Sequence, residues 1–353
     1  MSRRSLLVVL FVAIAIWVLS ALGASSVLAK DSERALASVP LAPASAVLDD
    51  EACPQVEPVT QDVTSQDYIT LASEEREPEP LVDSGLDIKQ QPVLGEAEVS
   101  WLQQITTGSH EIIVAVLDTG LDQNHEELSG QVVAETNLSQ SLTPGDVHGH
   151  GTHVAGIIAA RDDGQGVTGI APDCLLLNVK VADDTGRCQA QALARGIKWA
   201  VANGASVINI SIEIREPSAE LEEAVNYAWS QGCLVVAAAG NDGSELPVYP
   251  AYYENCLAVA AAGPGNGLAP LSNYGDWVDV IAPGFEIYST LPDGGYGCKT
   301  GTSFACAYVS GLGALLFDVV TDTSGSSWLN DEVRAIIESG CQQGDLIGIA
   351  NSD

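Results

Sequence analysis

Six short apolar runs, rich in valine, isoleucine, leucine and alanine, constrain the fold of this chain more than any other feature. Polar residues do not alternate within them, so both faces of each predicted strand must be buried. The predicted strands are 112–117, 175–181, 207–210, 234–239, 257–261 and 278–281, and the predicted helices are 150–160, 189–202, 219–231, 303–319 and 330–338. This alternation predicts an α/β fold of three layers, in which helices cover both faces of a central parallel sheet.

The first 95 residues differ from this pattern. Residues 1–29 begin with Arg3 and Arg4, continue with a long apolar stretch and end in ASSVLA. They predict a signal peptide cleaved after Ala29, with an uncleaved membrane anchor as the alternative. Residues 30–95 are acidic and rich in proline, which predicts a pro-segment removed near residues 91–98 or a disordered linker. Residues 96–353 then form the folded domain, and we expect that domain outside the cytoplasm.

The charge and the cysteines narrow the possible partners and the compartment. The chain has 47 acidic and 14 basic residues, a formal charge of −33 at pH 7. Nucleic acid is therefore not a predicted partner, because binding it requires a basic surface. So acidic a surface also resists association, so we expect a monomer. Eight cysteines in an exported chain predict disulfides, and Cys233 with Cys256 is the best candidate pair.

Four motifs carry the polar residues on which chemistry depends. VAVLDTGLD ends a predicted strand at Asp118, and DVHGHGTHVAGIIAA begins a helix at His150. VVAAAGNDGS places Asn241 after a strand that ends at Gly240, and TGTSFACAYVSGLGALL places Ser303 at a helix N-terminus. Taken alone, Ser303 is explained as a helix cap and Asn241 as a turn residue. Taken together, they lie where parallel sheets form sites.

In this order and at these spacings, the four motifs resemble those of the subtilisin-like serine proteases, the subtilases, over about residues 96–340. The resemblance implies a secreted serine endopeptidase that acts on proteins or peptides and needs no cofactor for its chemistry. It implies Asp118 as the orienting carboxylate, His150 as the general base, Ser303 as the nucleophile and Asn241 as the oxyanion donor. These roles agree with the chemistry, since serine attacks only when a base accepts its proton.

Three other functions compete with this one. An aspartic protease needs a second such motif in a matching β lobe. Asp83-Ser84-Gly85 lies in the acidic tract, and Asp184-Thr185-Gly186 shows how common the tripeptide is. A zinc hydrolase built on His148, His150 and His153 lacks the His-Glu-x-x-His arrangement. A catalytically weak binding or scaffold protein of subtilase shape is disfavoured because all four chemical groups are present.

The resemblance also implies a structural calcium. The loop RDDGQGVTG aligns with one that commonly holds calcium in the family. Asp163 and the carbonyl groups of Gln165 and Val167 are the implied ligands, with Glu127 reaching across from the aspartate motif. Oxygen ligands of this kind suit a hard cation. The alternative is a polar surface turn.

By the same resemblance, Ser211, Ile212 and Glu213, together with Gly240, bind the substrate side chain that precedes the scissile bond. Most relatives carry glycine where Glu213 stands. A glutamate narrows the slot and adds an anionic group that a substrate lysine or arginine can pair with. The alternative is that Glu213 faces solvent and pairs with Arg215, two residues along an extended segment.

The chain departs from the family pattern in two regions. Ala307 stands four residues after the nucleophile, where proline is usual, and Phe304 replaces the commonest methionine. The chain ends in GCQQGDLIGIANSD rather than a glycine-rich GxGxVNA segment. All four chemical groups survive, so we expect these departures to affect stability more than chemistry.

Overall fold

The computed structural model describes residues 69–70, 94–326 and 328–340. The predicted signal peptide, Cys53, Asp83, most of the acidic tract and residues 341–353 lie outside the described residues. The strands are β1 (Ile69–Thr70), β2 (Ile113–Asp118), β3 (Val132–Asn137), β4 (Leu175–Lys180), β5 (Arg187–Cys188), β6 (Val207–Ile210), β7 (Leu234–Ala238), β8 (Leu257–Ala262), β9 (Val280–Pro283), β10 (Ile287–Leu291) and β11 (Gly295–Lys299). The helices are α1 (Glu96–Leu102), α2 (His150–Ala159), α3 (Ala190–Ala202), α4 (Ala219–Ser230), α5 (Thr302–Val319) and α6 (Asn330–Glu338).

Seven strands form one parallel sheet in the order β3-β4-β2-β6-β7-β8-β9. The chain adds β4 and β3 on one side of β2 and β6 to β9 on the other. Such a reversal of strand order opens a crevice at the carboxyl ends of the strands, where ligands of α/β proteins bind. Asp118 is the last residue of β2 and therefore lies at this point.

Helices cover both faces of the sheet, which confirms the predicted three-layer α/β fold. On one face α2 and α5 pack with the side chains of Val114 and Val116, and on the other α3 and α4 pack with Ala115 and Leu117. Successive β2 residues thus enter two different cores. The runs are continuously apolar because the strands that contain them are covered by helices on both faces.

The helix α5 lies deepest in the first core. It packs against α2, α6 and five strands of the sheet, and fifteen of its eighteen residues are buried. Among the described helices it alone is long and apolar enough to cross a membrane, but it is the central helix of this core. Gly311 lets it approach the segment after α2, because a Cβ at that position would lie 2.7 Å from Ile170.

The elements that no apolar run predicted are the partly exposed ones. β3 is an edge strand whose residues are partly buried or exposed, so it lacks a continuous apolar sequence. The antiparallel hairpin β10–β11 lies outside the main sheet, and β11 is only partly buried along its length. Burial on both faces, rather than strand formation itself, produced the sequence signal.

The predicted disulfide between Cys233 and Cys256 is wrong, since both residues are free and buried. The register of β7 and β8 sets Leu257 opposite Val236, which puts Cys256 two positions out of step with Cys233. Such an offset opposes the close Cα approach that a disulfide needs. The sulfur of Cys233 lies 3.0 Å from the carbonyl oxygen of Ala205 instead. Cys298, in β11, is disulfide-bonded, as the cysteine content led us to expect for some pairs.

A short piece of the acidic tract takes part in the fold. β1 pairs antiparallel with β5, with Ile69 opposite Cys188 and Thr70 opposite Arg187. Cys188 also bridges to Ala182, whose N–H donates to the main-chain carbonyl of Asp118 at 3.1 Å. Through Cys188 and Ala182, the added strand is therefore connected to the carboxyl end of β2.

Candidate active site

Asp118 and His150 are hydrogen-bonded to each other at the carboxyl end of β2. Asp118 is wholly buried, and its Oδ1 lies 2.8 Å from Nδ1 of His150 and accepts the N–H of Thr119 at 2.7 Å. An ionised carboxylate only accepts hydrogen bonds, so the imidazole proton is on Nδ1. The Nε2 atom then carries a lone pair, and it has no hydrogen-bond partner among the described residues.

Two glycines allow α2 to begin this close to β2. Gly149 is the N-cap residue of α2 and has a φ of +88°, in the left-handed region that favours glycine. A Cβ at Gly151 would lie 2.2 Å from the carbonyl oxygen of Gly120 and 3.1 Å from Oδ1 of Asp118. The glycines that flank His150 are therefore required by the approach of the helix to the strand.

Asp146, the first residue of the DVHGHGTHVAGIIAA motif, was assigned no role from the sequence, but it connects the same two elements. Its buried carboxylate accepts hydrogen bonds from the hydroxyl of Thr119, the N–H of Gly149, and both the N–H and the hydroxyl of Thr152, all at 2.7–2.8 Å. An acidic residue just before a helix satisfies the free N–H groups of its first turn. The sequence signal that could have indicated this role is the position of Asp146, four residues before His150.

Ser303 lies in the first turn of α5. Gly301 is the N-cap residue of that helix, so the explanation of Ser303 as an ordinary cap is wrong. The Oγ of Ser303 lies 3.4 Å from the carbonyl oxygen of Ser211, and the ring of Phe304 lies 5.5 Å from that of His150. The fold thus brings the serine and the histidine, 153 positions apart, to the same corner of the sheet.

Asn241 lies beside the same helix terminus. Its Oδ1 accepts the N–H and the hydroxyl of Thr302 at 2.9 and 3.0 Å, while its Nδ2 has no hydrogen-bond partner in the described part of the chain. The amide oxygen is therefore fixed and the NH₂ group is a free donor next to Ser303. Gly240 precedes it with a φ of +98° and donates its N–H to the Thr302 hydroxyl at 3.1 Å.

Glu213 lies on the other side of Gly240. Its Oε2 is buried and has no hydrogen-bond partner among the residues described, and a Cβ at Gly240 would lie 2.3 Å from it. Burial raises the pKa of Glu213 to about 7, with a further rise from Asp242 that Arg215 and the N–H of Asn241 oppose. Arg215 donates to both oxygens of Asp242, at 3.2 and 3.0 Å. The alternative in which Glu213 faces solvent and pairs with Arg215 is therefore wrong.

Similarity to known proteins agrees with this arrangement. A model of the subtilase family matches residues 109–347. The chain belongs to the subtilase family.

Three relatives show how far the similarity of this subtilase to known proteins extends. It is 44% identical to the thermophilic serine proteinase of Bacillus sp. (strain AK1), over 66% of its own length and 57% of the relative's. It is 42% identical to thermitase of Thermoactinomyces vulgaris, over 64% and 79% of the two chains. It is 41% identical to subtilisin NAT of Bacillus subtilis subsp. natto, over 66% and 61%. The match thus spans less than two thirds of the first and third of these relatives.

The histidines of the subtilase do not form the zinc site considered above. The Nε2 of His153 lies 3.0 Å from the carbonyl oxygen of Gly297, and burial lowers the pKa of His153 to about 3. Nδ1 of His150 faces Asp118. Within the described residues, no group of three or more histidine, cysteine, aspartate or glutamate side chains is placed to hold a metal ion.

The calcium ligands implied by the sequence include one buried carboxylate, that of Glu127. Glu127 is 1% exposed, and its Oε1 accepts the hydroxyl of Tyr296 at 2.8 Å and the N–H of Val167 at 3.3 Å. Its Oε2 is buried and has no hydrogen-bond partner among the described residues, which suits a neighbouring cation. Asp163 and Gln165 are exposed, and Oδ1 of Asp163 accepts the N–H of Gln165 at 3.0 Å, as in the alternative surface turn.

Proposed function

We propose that this subtilase is a serine endopeptidase that hydrolyses protein or peptide substrates through an acyl-enzyme intermediate. The observation that carries the proposal is the 2.8 Å contact of Asp118 with Nδ1 of His150. Nε2 then points to the corner that holds Ser303 and has no hydrogen-bond partner among the described residues. Nε2 accepts the proton of Ser303 as Oγ attacks the substrate carbonyl carbon, and it then protonates the leaving amine. Water then takes the place of the amine: it gives a proton to Nε2 as its oxygen attacks the acyl carbon. The bond to Ser303 Oγ breaks, Oγ takes the proton back, and the acid is released.

The remaining groups stabilise charge as it develops. Asp118 holds the imidazole in the required tautomer and stabilises the imidazolium. The Nδ2 group of Asn241 and the N–H of Ser303 receive the oxyanion of the tetrahedral intermediate, and each such donor contributes roughly 3–4 kcal/mol. Asn241 suits this role because Thr302 already holds its Oδ1.

Labelling with a serine-directed fluorophosphonate tests this function. Only an activated serine reacts readily with such a reagent. We expect one covalent label on the mature protein, located at Ser303 by mass spectrometry of its peptides. A folded mature protein that takes up no label would instead be the catalytically weak scaffold.

We further propose that residues 30–95 are a pro-segment that the enzyme removes near residues 91–98, after export and signal cleavage behind Ala29. The pairing of β1 with β5, beside Asp118, supports a tract that docks at the site. The secreted protein should therefore begin within or near 91–98 in intact-mass measurements, and Ser303→Ala should retain the tract. Processing of Ser303→Ala at the wild-type position would overturn self-cleavage, and a wild-type chain that keeps the tract would favour the linker.

We also propose a structural calcium, held by Glu127, Asp163 and the carbonyl groups of Gln165 and Val167. A cation there neutralises the buried Oε2 of Glu127, so EDTA should lower the melting temperature by several degrees. Added calcium should restore it, and Glu127→Gln should be insensitive to EDTA. Asp173→Asn, a carboxylate loss elsewhere on the surface, is the control that should respond like wild type. An unchanged melting temperature in EDTA would favour the surface turn.

A further inference from the structure

Glu213 is an acidic side chain with an unsatisfied oxygen inside the subtilase. Its Oε2 is buried and has no hydrogen-bond partner among the described residues. A buried carboxylate in this state is costly, and it remains only where another group or a ligand compensates for it. We therefore expect the carboxylate of Glu213 to pair with another group when the enzyme functions.

The carboxylate lies next to the place where the substrate carbonyl must bind. When Ser303 attacks, the carbonyl carbon bonds to Oγ and its oxygen faces Nδ2 of Asn241. Ser211, whose carbonyl oxygen is 3.4 Å from that Oγ, is two residues before Glu213. Gly240, directly before Asn241, is the residue on which Oε2 of Glu213 packs, with 2.3 Å to a Cβ placed there. Glu213 thus lies beside the acyl group, on the side bounded by Ser211 and Gly240.

Within the part of the chain that the structure describes, the charged groups that face Glu213 do not include a cation paired with it. Asp242 raises the pKa of Glu213, and Arg215 opposes that rise. Arg215 is 74% exposed and its guanidinium is paired with Asp242 at 3.0 Å, on the surface. The main-chain N–H of Asn241 is the remaining group that lowers the pKa. A cation delivered by the substrate would give Glu213 the charged partner that it lacks.

We propose that Glu213 determines the specificity of the enzyme by binding the lysine or arginine side chain of the residue that precedes the scissile bond. The proposal rests on the proposed peptidase function. Lysine and arginine suit the position because several methylene groups carry their charge away from the main chain. The missing side chain of Gly240 provides the room in which the carboxylate sits.

The preference depends on pH, because Glu213 must be ionised to attract a cation. Its pKa is raised to about 7 by burial, so the carboxyl is largely protonated at pH 5.5 and largely anionic at pH 8.5. A lysine side chain stays protonated over that range. Selectivity for lysine therefore rises as the pH rises through 7, whereas selectivity among uncharged side chains stays constant.

The test compares two fluorogenic peptides that differ only in lysine or norleucine before the scissile bond. We measure the ratio of their kcat/KM values at pH 5.5 and pH 8.5, so that any effect of pH on the shared catalytic steps acts on both peptides alike and cancels. For the wild type we expect this ratio to rise at least about tenfold, the effect of one charge-assisted contact. For Glu213→Gln, which keeps the shape, the ratio should be low and independent of pH. Glu216→Gln, an exposed glutamate three residues on, should match the wild type.

The outcomes separate the inference from the function beneath it. If the wild type cleaves both peptides with a ratio that does not change with pH, the inference is overturned and the peptidase function stands. If neither peptide is cleaved and the fluorophosphonate does not react, the function itself fails. Should Glu213→Gln not fold, Glu213→Gly and the wild-type pH series decide the matter, and a lysine preference that survives in Glu213→Gly contradicts the inference.

Discussion

Replacing Ser303 with alanine will abolish fluorophosphonate labelling and lower kcat for a peptide substrate about a millionfold, the loss known for the same change in subtilisin. The variant keeps the helix, because Gly301 rather than Ser303 is the N-cap residue. His150→Ala should lose a similar factor, and the double variant should be no worse, since the two groups act as one unit. Steady-state assays with a fluorogenic peptide measure all three variants.

The control for this prediction is a second serine of the same helix. Ser310 is buried, and its hydroxyl donates to Oδ1 of Asn209 at 2.9 Å, away from His150. Ser310→Ala should cost about 1 kcal/mol of unfolding free energy but leave kcat within a few fold of the wild type. Equal losses of kcat in Ser303→Ala and Ser310→Ala would remove Ser303 from the reaction and assign it to structure alone.

Replacing Asn241 with leucine will lower kcat about a hundredfold to a thousandfold and leave KM nearly unchanged, the range known for such a donor in subtilisin. The reason is that Nδ2 meets the oxygen only when it becomes an anion, so the ground state loses little. Asn241→Asp keeps the acceptor for Thr302 but removes the donor, and it should lose at least as much activity.

Thr302 provides the matched comparison for Asn241. Thr302→Val removes the hydroxyl that donates to Oδ1 of Asn241 but leaves the main-chain N–H bond in place. We expect a smaller loss of kcat, because the amide is still present but less firmly oriented. A kcat for Asn241→Leu equal to that of the wild type would contradict the oxyanion role, whatever the effect of Thr302→Val.

The sheet and its covering helices could be predicted because burial leaves a local record. Strand β6 and helix α6 have the predicted bounds, and the other predicted strands and helices differ from the structure by a residue or two at their ends. The four motif residues could be found for a related reason. Each lies beside glycines or small residues whose spacing is set by close packing, as Gly149 and Gly151 show around His150.

Features that depend on contacts between residues far apart in the sequence left no such local pattern. The register of β7 and β8, which separates Cys233 from Cys256, cannot be deduced from two apolar runs of similar length. Asp146 joins β2 to α2 because its carboxylate accepts hydrogen bonds from hydroxyl and N–H groups of both. Many aspartates can accept such bonds, so the residue type alone does not predict this contact. The pairing of β1 with β5 connects segments more than a hundred positions apart and involves only two residues of each.

The environment of Glu213 shows the same limit at the scale of one side chain. Two-residue spacing in an extended segment would place Glu213 and Arg215 on one face. In the fold, Asp242 lies within reach of Arg215 and takes both of its hydrogen bonds, so the nearest charge in sequence is not the partner in space. The expected pairing of Glu213 with Arg215 is absent because Asp242, which follows β7, binds the guanidinium of Arg215 instead.

The position of Ser303 on α5 has a consequence for how heating would displace the proposed nucleophile. Local openings in proteins release loops and chain ends at little cost, but a central helix is released only when the whole domain opens. Since α5 contacts five strands and two helices, its amide protons can exchange with solvent only through that global event. Thermal motion will therefore disturb the loops around the crevice long before it displaces the serine, and heating should end the proposed activity in the same step that melts the sheet.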